Sequence, residues 1–211
     1  MRALATFGTG RHADLLKIAL PSFCAYADRH GYDLYVADRI GTARPPSWYK
    51  VEMLHNILSK GYQAALWIDA DVVIVDGRDD WPIGDQCWQS LVKHHTGDGE
   101  VPNHGIWYVK REMIPWLEKI WELDKFRYHG WWEQAAAMEL LGYQPDARPC
   151  HRVIASELYD HTSFLDPGWN VHVWDSHKTD HPRFQHATMQ PNPEFIMRQW
   201  AQEADSWINH S

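Results

Sequence analysis

The sequence predicts an α/β fold with a mixed, mainly parallel central sheet flanked by helices. Three observations predict it. A strand–helix–strand unit fills the first 38 residues, a second helix leads into an apolar strand near residue 66, and regular alternation gives way to a less regular second half.

Residues 3–7, "ALATF", read as a short buried strand. After "GTG", helical spacing from His12 to Arg29 aligns Leu15, Leu16, Ile18, Ala19, Leu20, Phe23 and Tyr26, with Pro21 a candidate kink and Gly31 a suitable stop. "YDLYVAD" alternates as a second strand, and two strands joined through one helix pair in parallel. "GTARPP" is a loop. "SWYKVEMLHNILSKG" reads as a helix with Ser47 as N-cap, Val51, Leu54, Ile57 and Leu58 on one face and Gly61 as its stop. "AALWIDADVVIVDG" reads as one central strand. In the second half, "GIWYVK" reads as a strand, "REMIPWLEKIWELDKF" as a helix and "HGWWEQAAAMELLG" as a loop running into a helix. Residues 145–190 read mostly as loop, with "NVHVWD" a candidate strand. The last helix, "NPEFIMRQWAQEADSWI", has Asn192 as N-cap, Pro193 at its first position and a stripe at Ile196, Trp200, Ala204 and Trp207.

Composition narrows the function. A net charge of −8 over 211 residues argues against nucleic acid or an anionic membrane as the main partner. No apolar stretch approaches the ~20 residues of a transmembrane span. The start, "RALATFG", reads as a strand rather than a targeting segment. The three cysteines, Cys24, Cys87 and Cys150, are widely spaced with no CxxC, which fits a reducing, cytoplasmic setting with Cys24 in the core. Thirteen tryptophans fill cores in general, but their flat faces also suit sugar rings.

The stretch "LWIDADVVI", residues 66–74, carries two carboxylates at the end of an apolar run. In an extended strand residues i and i+2 share a face, so Asp69 and Asp71 point the same way, with the small Ala70 leaving room between them. Such a pair suits a hard divalent cation, Mg²⁺ or Mn²⁺. The bland alternative is a solvated turn; the apolar lead-in argues against it, because an uncompensated buried carboxylate is costly. In open α/β sheets ligands bind at the carboxyl ends of strands, so the edge holding Gly8 should also hold Asp69 and Asp71. Two enzyme classes use such a strand. "DADVV" formally fits the haloacid dehalogenase-like phosphatases, but those carry the motif on their first strand. In nucleotide-sugar glycosyltransferases of the GT-A type the motif follows the nucleotide-binding units, as it does here.

The order of segments resembles glycosyltransferase family 34, the galactosyl-, xylosyl- and mannosyltransferase family. "YADRHGYDLYV", "SWYK" followed by "LWIDADVVI", "PNHGIWYVK", "WWEQAAAMELL" and "FQHATMQPN" are similar to that family's successive motifs, over roughly residues 3–192. The resemblance implies a Rossmann-like GT-A fold and a single domain over residues 1–211. About 1–76 would form a nucleotide-binding half and about 77–211 a donor-sugar and acceptor half. It implies Mn²⁺ (or Mg²⁺), a nucleotide-diphosphosugar donor with UDP preferred, a carbohydrate or other hydroxyl acceptor, and retention of anomeric configuration. By the same resemblance Asp69, Asp71 and His186 are metal ligands. Thr6, Phe7 and Gly8 line the nucleotide end, and Lys50, Asp69, Ala70, Asn103 and Gly105 contact the donor. Glu133 and Gln134 are the catalytic pair beside the reacting sugar. Trp131, Trp132 and Trp169 are candidate acceptor platforms. One departure stands out: Ala187, Thr188, Met189, Gln190 and Pro191 follow the late histidine without a cation, leaving the metal, Arg183 or Arg39 to take the leaving-group charge. A phosphatase and a non-catalytic sugar- or nucleotide-binding relative are the rival readings.

Overall fold

A computed structural model describes residues 1–39 and 41–209. The elements in chain order are β1 (Arg2–Phe7), α1 (Arg11–His30), β2 (Tyr32–Ala37), α2 (Tyr49–Ser59), β3 (Ala64–Ile68), β4 (Val72–Ile74), β5 (Gln89–Thr96), β6 (Gly99–Lys110), α3 (Ile114–Glu122), α4 (Trp132–Leu140), α5 (Glu157–Asp160), β7 (Thr162–Leu165), β8 (Val171–His172), β9 (Phe184–His186) and α6 (Pro193–Ile208). Six strands form the main sheet in the order β2-β1-β3-β6-β5-β7. β6 is antiparallel to both its neighbours, and all other pairs are parallel, so β6 alone runs against the rest. Among the described residues no helix is long and apolar enough to cross a membrane.

Helices cover both faces of this sheet, and the strand period of two sorts the side chains between them. Ala3, Ala5, Phe7, Ala65, Trp67, Trp107 and Val109 pack into the layer with α2, α3 and α4. Leu4, Leu66, Ile68, Ile106 and Tyr108 face the layer built from α1, β4 and α6. Gly31 ends α1 in the left-handed region at φ 69°, its N–H donating to the carbonyl of Ala27. Gly8 makes the turn from β1 into α1, where a Cβ would stand 2.6 Å from the carbonyl oxygen of His12.

Several sequence expectations change. "AALWIDADVVIVDG" is two strands in two sheets: β3 lies in the main sheet, while β4 pairs antiparallel with β9 in a three-stranded sheet β4-β9-β8. Asp69 N–H donates to the carbonyl of Gly105 at 2.7 Å, and Val72 N–H to that of Asp69 at 3.2 Å, closing a turn between the strands. Both flanks are fully buried, so periodicity does not reveal the break. Ser47 is not an N-cap: it lies inside a 3-10 turn, Pro46–Trp48, and its hydroxyl has no partner. Asn192 precedes Pro193 as expected but makes no capping bond. The segment read mostly as loop contains α5, β7 and β9, its candidate strand "NVHVWD" holds β8, and β5 lies outside the strands the sequence predicts; these pieces find their pairing partners only in the assembled sheets. Cys24 is exposed and Cys150 is the buried cysteine, because α1 turns Leu15, Ala19, Phe23 and Tyr26 inward instead. Trp169 packs against Trp81 and Phe184 and is only 5% exposed, so it is a core residue and no acceptor platform.

Candidate active site at the carboxyl edge of the sheet

Gly8 and Asp69 stand just past the carboxyl ends of the adjacent parallel strands β1 and β3. The turn through Asp69, Ala70 and Asp71 begins there. β9 then delivers His186 opposite Val72 in the antiparallel register of the second sheet. One ligand atom each from Asp69, Asp71 and His186 lies within 4.8 Å of the others. Two full charges that far apart repel by about 3.5 kcal/mol at an effective dielectric of ~20, so the two carboxylates need a positive partner.

His186 Nε2 is 3.3 Å from Asp71 Oδ1. Burial disfavours the imidazolium, but the Asp71 carboxylate outweighs it and holds His186 above the usual imidazole value. Burial likewise works against the Asp71 carboxylate, and His186 in turn holds it below the usual range. Proton and metal cation therefore compete for the same corner. Two carboxylate oxygens and one imidazole nitrogen form a donor set that fits Mn²⁺, and fits Mg²⁺ less well because of the nitrogen.

Lys50 enters from α2, with its side chain 5% exposed. Its Nζ lies 3.0 Å from Asp69 Oδ1 and 3.2 Å from Glu133 Oε1, and donates to the carbonyl of His104 at 2.8 Å. Burial disfavours the ammonium, yet the two carboxylates prevail and raise its pKa. Glu133, in the first turn of α4, is equally buried; burial raises its pKa despite Lys50, and its Oε2 has no partner. Asp69 is further held by the indole N–H of Trp67. Three carboxylates thus meet one ammonium and the imidazole of His186, with the exposed His12 also facing Asp71, so the inner side of the corner is short of positive charge.

The other expected residues fall around this centre. Gln134 Oε1 accepts the N–H of His104 at 3.3 Å, which leaves its amide NH₂ for other partners. Asn103 Oδ1 is taken by Gly105 N–H and by Asn170 Nδ2, both at 2.9 Å. Gly105 lies under the ring of His186, where a Cβ would stand 2.3 Å from Cε1. Ala70 is buried in the turn, Thr6 is buried with an unpartnered hydroxyl, and Phe7 meets Tyr49 edge-on at 5.0 Å. Trp132 is 44% exposed at φ 43°, an uncommon backbone for a bulky residue, and Trp131 is half-buried beside Arg148. Arg183 is occupied by Asp79, Asp166 and the face of Trp169; Arg39 is exposed beside Asp38.

Sequence reasoning missed Trp67, His104 and Asn170. Trp67 looked like one more core aromatic. His104 is wholly buried, and burial together with the neighbouring Lys50 charge pushes its pKa down to about 3, so it stays neutral. Asn170, also wholly buried, lies in a stretch with no periodicity to mark it.

The sequence matches no protein-family model and no curated relative. Among solved structures the chain is similar to a glycosyltransferase involved in the glycosylation of the major capsid of PBCV-1. The TM-score is 0.64 at 16% identity, covering 100% of this chain and 99% of that one. It is also similar to the glycosyltransferase GlyE of Streptococcus pneumoniae TIGR4, at a TM-score of 0.65 and 13% identity, and spans 63% of that chain. Mouse xyloside xylosyltransferase 1 matches at 0.50 and 12%, covering 90% of this chain and 98% of that one. Likeness at such identities defines the fold, and the fold is the GT-A fold of glycosyltransferases.

Proposed function

We propose that the protein is a metal-dependent glycosyltransferase that moves a hexose or pentose from a nucleotide-diphosphosugar, with UDP as the preferred nucleotide, to a hydroxyl of a carbohydrate or similar acceptor. The observation that carries this reading is the convergence of Asp69, Asp71 and His186 within 4.8 Å at the carboxyl edge of a GT-A sheet. Asp69, Asp71 and His186 would hold Mn²⁺ (or Mg²⁺), which supplies charge neutralisation and Lewis acidity to a departing diphosphate. The chain's own residues do the rest. Lys50 holds Asp69 and Glu133 in place and balances part of their charge. Glu133, with one free buried oxygen, and Gln134, with a free amide NH₂, are suited to orient the donor sugar and to stabilise positive charge at its anomeric carbon. Thr6, Phe7 and Gly8 line the nucleotide end, in the half spanning about residues 1–76, and Asn103 stands near the sugar. Trp131 and Trp132, on the rim beside Glu133, are suited to stack on an acceptor ring.

Relationship to family 34, and with it retention of configuration, rests on the quoted sequence segments. The phosphatase alternative draws no support from the fold. Thermal denaturation with UDP, with GDP and without nucleotide, each with and without Mn²⁺, tests the reading, because tight binding raises apparent stability by mass action. Stabilisation that requires UDP and Mn²⁺ together, followed by turnover of a UDP-sugar, is the expected result. Binding without turnover would favour the non-catalytic relative, and indifference to both ligands would sink the proposal.

A further inference from the structure

We infer that Asn170 is a positioning residue that fixes His186 as its Nδ1–H tautomer and so presents Nε2 as a metal-binding lone pair. The inference rests on the metal reading of the Asp69, Asp71 and His186 cluster.

The orientation of every group follows from one backbone donor. Gly105 N–H can only donate, and it donates to Asn103 Oδ1 at 2.9 Å, which fixes which end of that amide is oxygen. The same oxygen lies 2.9 Å from the Asn170 amide, so the Asn170 atom facing it is the donor Nδ2. Asn170 Oδ1 is then the atom facing His186 Nδ1, at 3.2 Å. An amide oxygen only accepts, so Nδ1 carries the hydrogen. A neutral imidazole protonated there has its lone pair on Nε2, the atom 3.3 Å from Asp71 Oδ1. The more populated tautomer in water is the other one, with the hydrogen on Nε2, which would aim a donor at the cation site.

Burial gives the arrangement its force. Asn170 has no exposed surface and His186 only 4%. A buried amide is unfavourable unless bonded, and this one is bonded at both ends only when His186 carries its hydrogen on Nδ1. Gly105 closes the ring in from the other side, its missing Cβ leaving the space that Cε1 occupies. Asn170 thus stands to His186 as the partners that orient metal-ligating histidines generally do, and loss of such a partner typically lowers metal affinity ten- to a hundredfold.

The test measures Mn²⁺ dissociation constants, by the paramagnetic resonance of free Mn²⁺, for the unsubstituted chain and for Asn170→Leu, Asn170→Asp and His186→Ala. Asn170→Leu should weaken binding about ten- to a hundredfold. Asn170→Asp, which keeps an oxygen against Nδ1–H but turns its second oxygen toward the acceptor Asn103 Oδ1, should recover part of that loss. Nitrogen-15 spectra of the Mg²⁺-loaded protein, in which the cation rather than a hydrogen stands between Nε2 and the Asp71 carboxylate, should show the Nδ1–H form without any substitution. Full Mn²⁺ affinity in Asn170→Leu, or an Nε2–H ring in the Mg²⁺-loaded unsubstituted chain, overturns the inference. Full affinity in His186→Ala, or no Mn²⁺ binding at all, overturns the metal reading itself and the inference with it.

Discussion

The two ends of the same parallel strands carry charge in opposite states of completion. At the amino end, Arg2 of β1 pairs with Asp80, donates to the carbonyl of His30 and lies over the ring of Tyr32 at 4.3 Å. Asp80 Oδ1 also accepts the Tyr32 hydroxyl and the N–H of Trp81, both at 2.8 Å. One cation meets one anion, and Arg2, Asp80 and Tyr32 satisfy each other, with only the neighbouring Tyr26 hydroxyl buried without a partner. At the carboxyl end, Asp69, Asp71 and Glu133 outnumber Lys50 and His186, while Glu133 Oε2 and the Thr6 hydroxyl are buried without partners. A closed network stabilises a fold by itself. An open one of this sign is an arrangement that a cation and a hydroxyl-rich ligand can complete.

Substitutions at the two ends should therefore behave differently. Asp71→Asn should cut sugar transfer on the order of a thousandfold, since the metal's contribution to charge stabilisation is several kcal/mol and each ~1.4 kcal/mol is tenfold in rate. The same variant should lose Mn²⁺-dependent thermal stabilisation while still unfolding in one cooperative transition; full activity in chelator-treated buffer would break the comparison outright. Lys50→Met should destabilise the chain by about 3–5 kcal/mol, as expected when one partner of a buried ion cluster is removed, and adding Glu133→Gln should restore part of that loss. Denaturant titration of the single and double variants checks both. Gly105→Ala forces a Cβ into the ring of His186 and should weaken Mn²⁺ binding at least about tenfold, measurable by calorimetry.

Smaller effects sharpen the contrast. His94 and Asp175 form a second pair, 2.7 Å apart with both side chains 2% exposed, although the far ring nitrogen of His94, Nε2, is buried without a partner. Burial raises the Asp175 carboxyl, but His94 and the N–H groups of His177 and His95 prevail and depress it from 3.8 to about 2. A depressed acid contributes stability above its unfolded value that is lost as pH falls through its folded one. Asp175→Asn should therefore flatten the acid limb between about pH 4 and 2, by roughly 2 kcal/mol. Glu133 has the opposite sign: its raised carboxyl favours the fold below its unfolded value of 4.5, and that contribution disappears as pH rises through the folded value. Asp80→Asn, in a partly exposed network, should cost only about 1 kcal/mol and leave Mn²⁺ affinity and transfer unchanged.

How much of this was legible beforehand varied with the range of the interactions involved. β1, α1 and β2 were readable because their signals are local: an apolar period, a glycine stop and alternation. The carboxylate pair stood out because two acids follow a fully apolar run, and Lys50 because its segment is one of the quoted motifs. The turn through Ala70 was hidden, since Ile68 and Val72 are buried alike on either side of it. The assumption that strand geometry aligns the two acids was therefore mistaken, although their ligand atoms do converge. Trp169 was assigned to a surface because a single aromatic in an irregular stretch carries no sign of which side it faces.

By itself the sequence determined the alternation of strands and helices, the parallel start of the sheet and the delivery of two acids to its carboxyl edge, because apolar periodicity and glycine conformation act within a few residues. Only the tertiary structure decided that the chain changes sheets between those acids, that β9 brings His186 to them, and that Asn170, Gly105 and Lys50 come from separate elements to the same corner. Those placements depend on strand register and on burial. Both are properties of the assembled layers, and no single segment carries them.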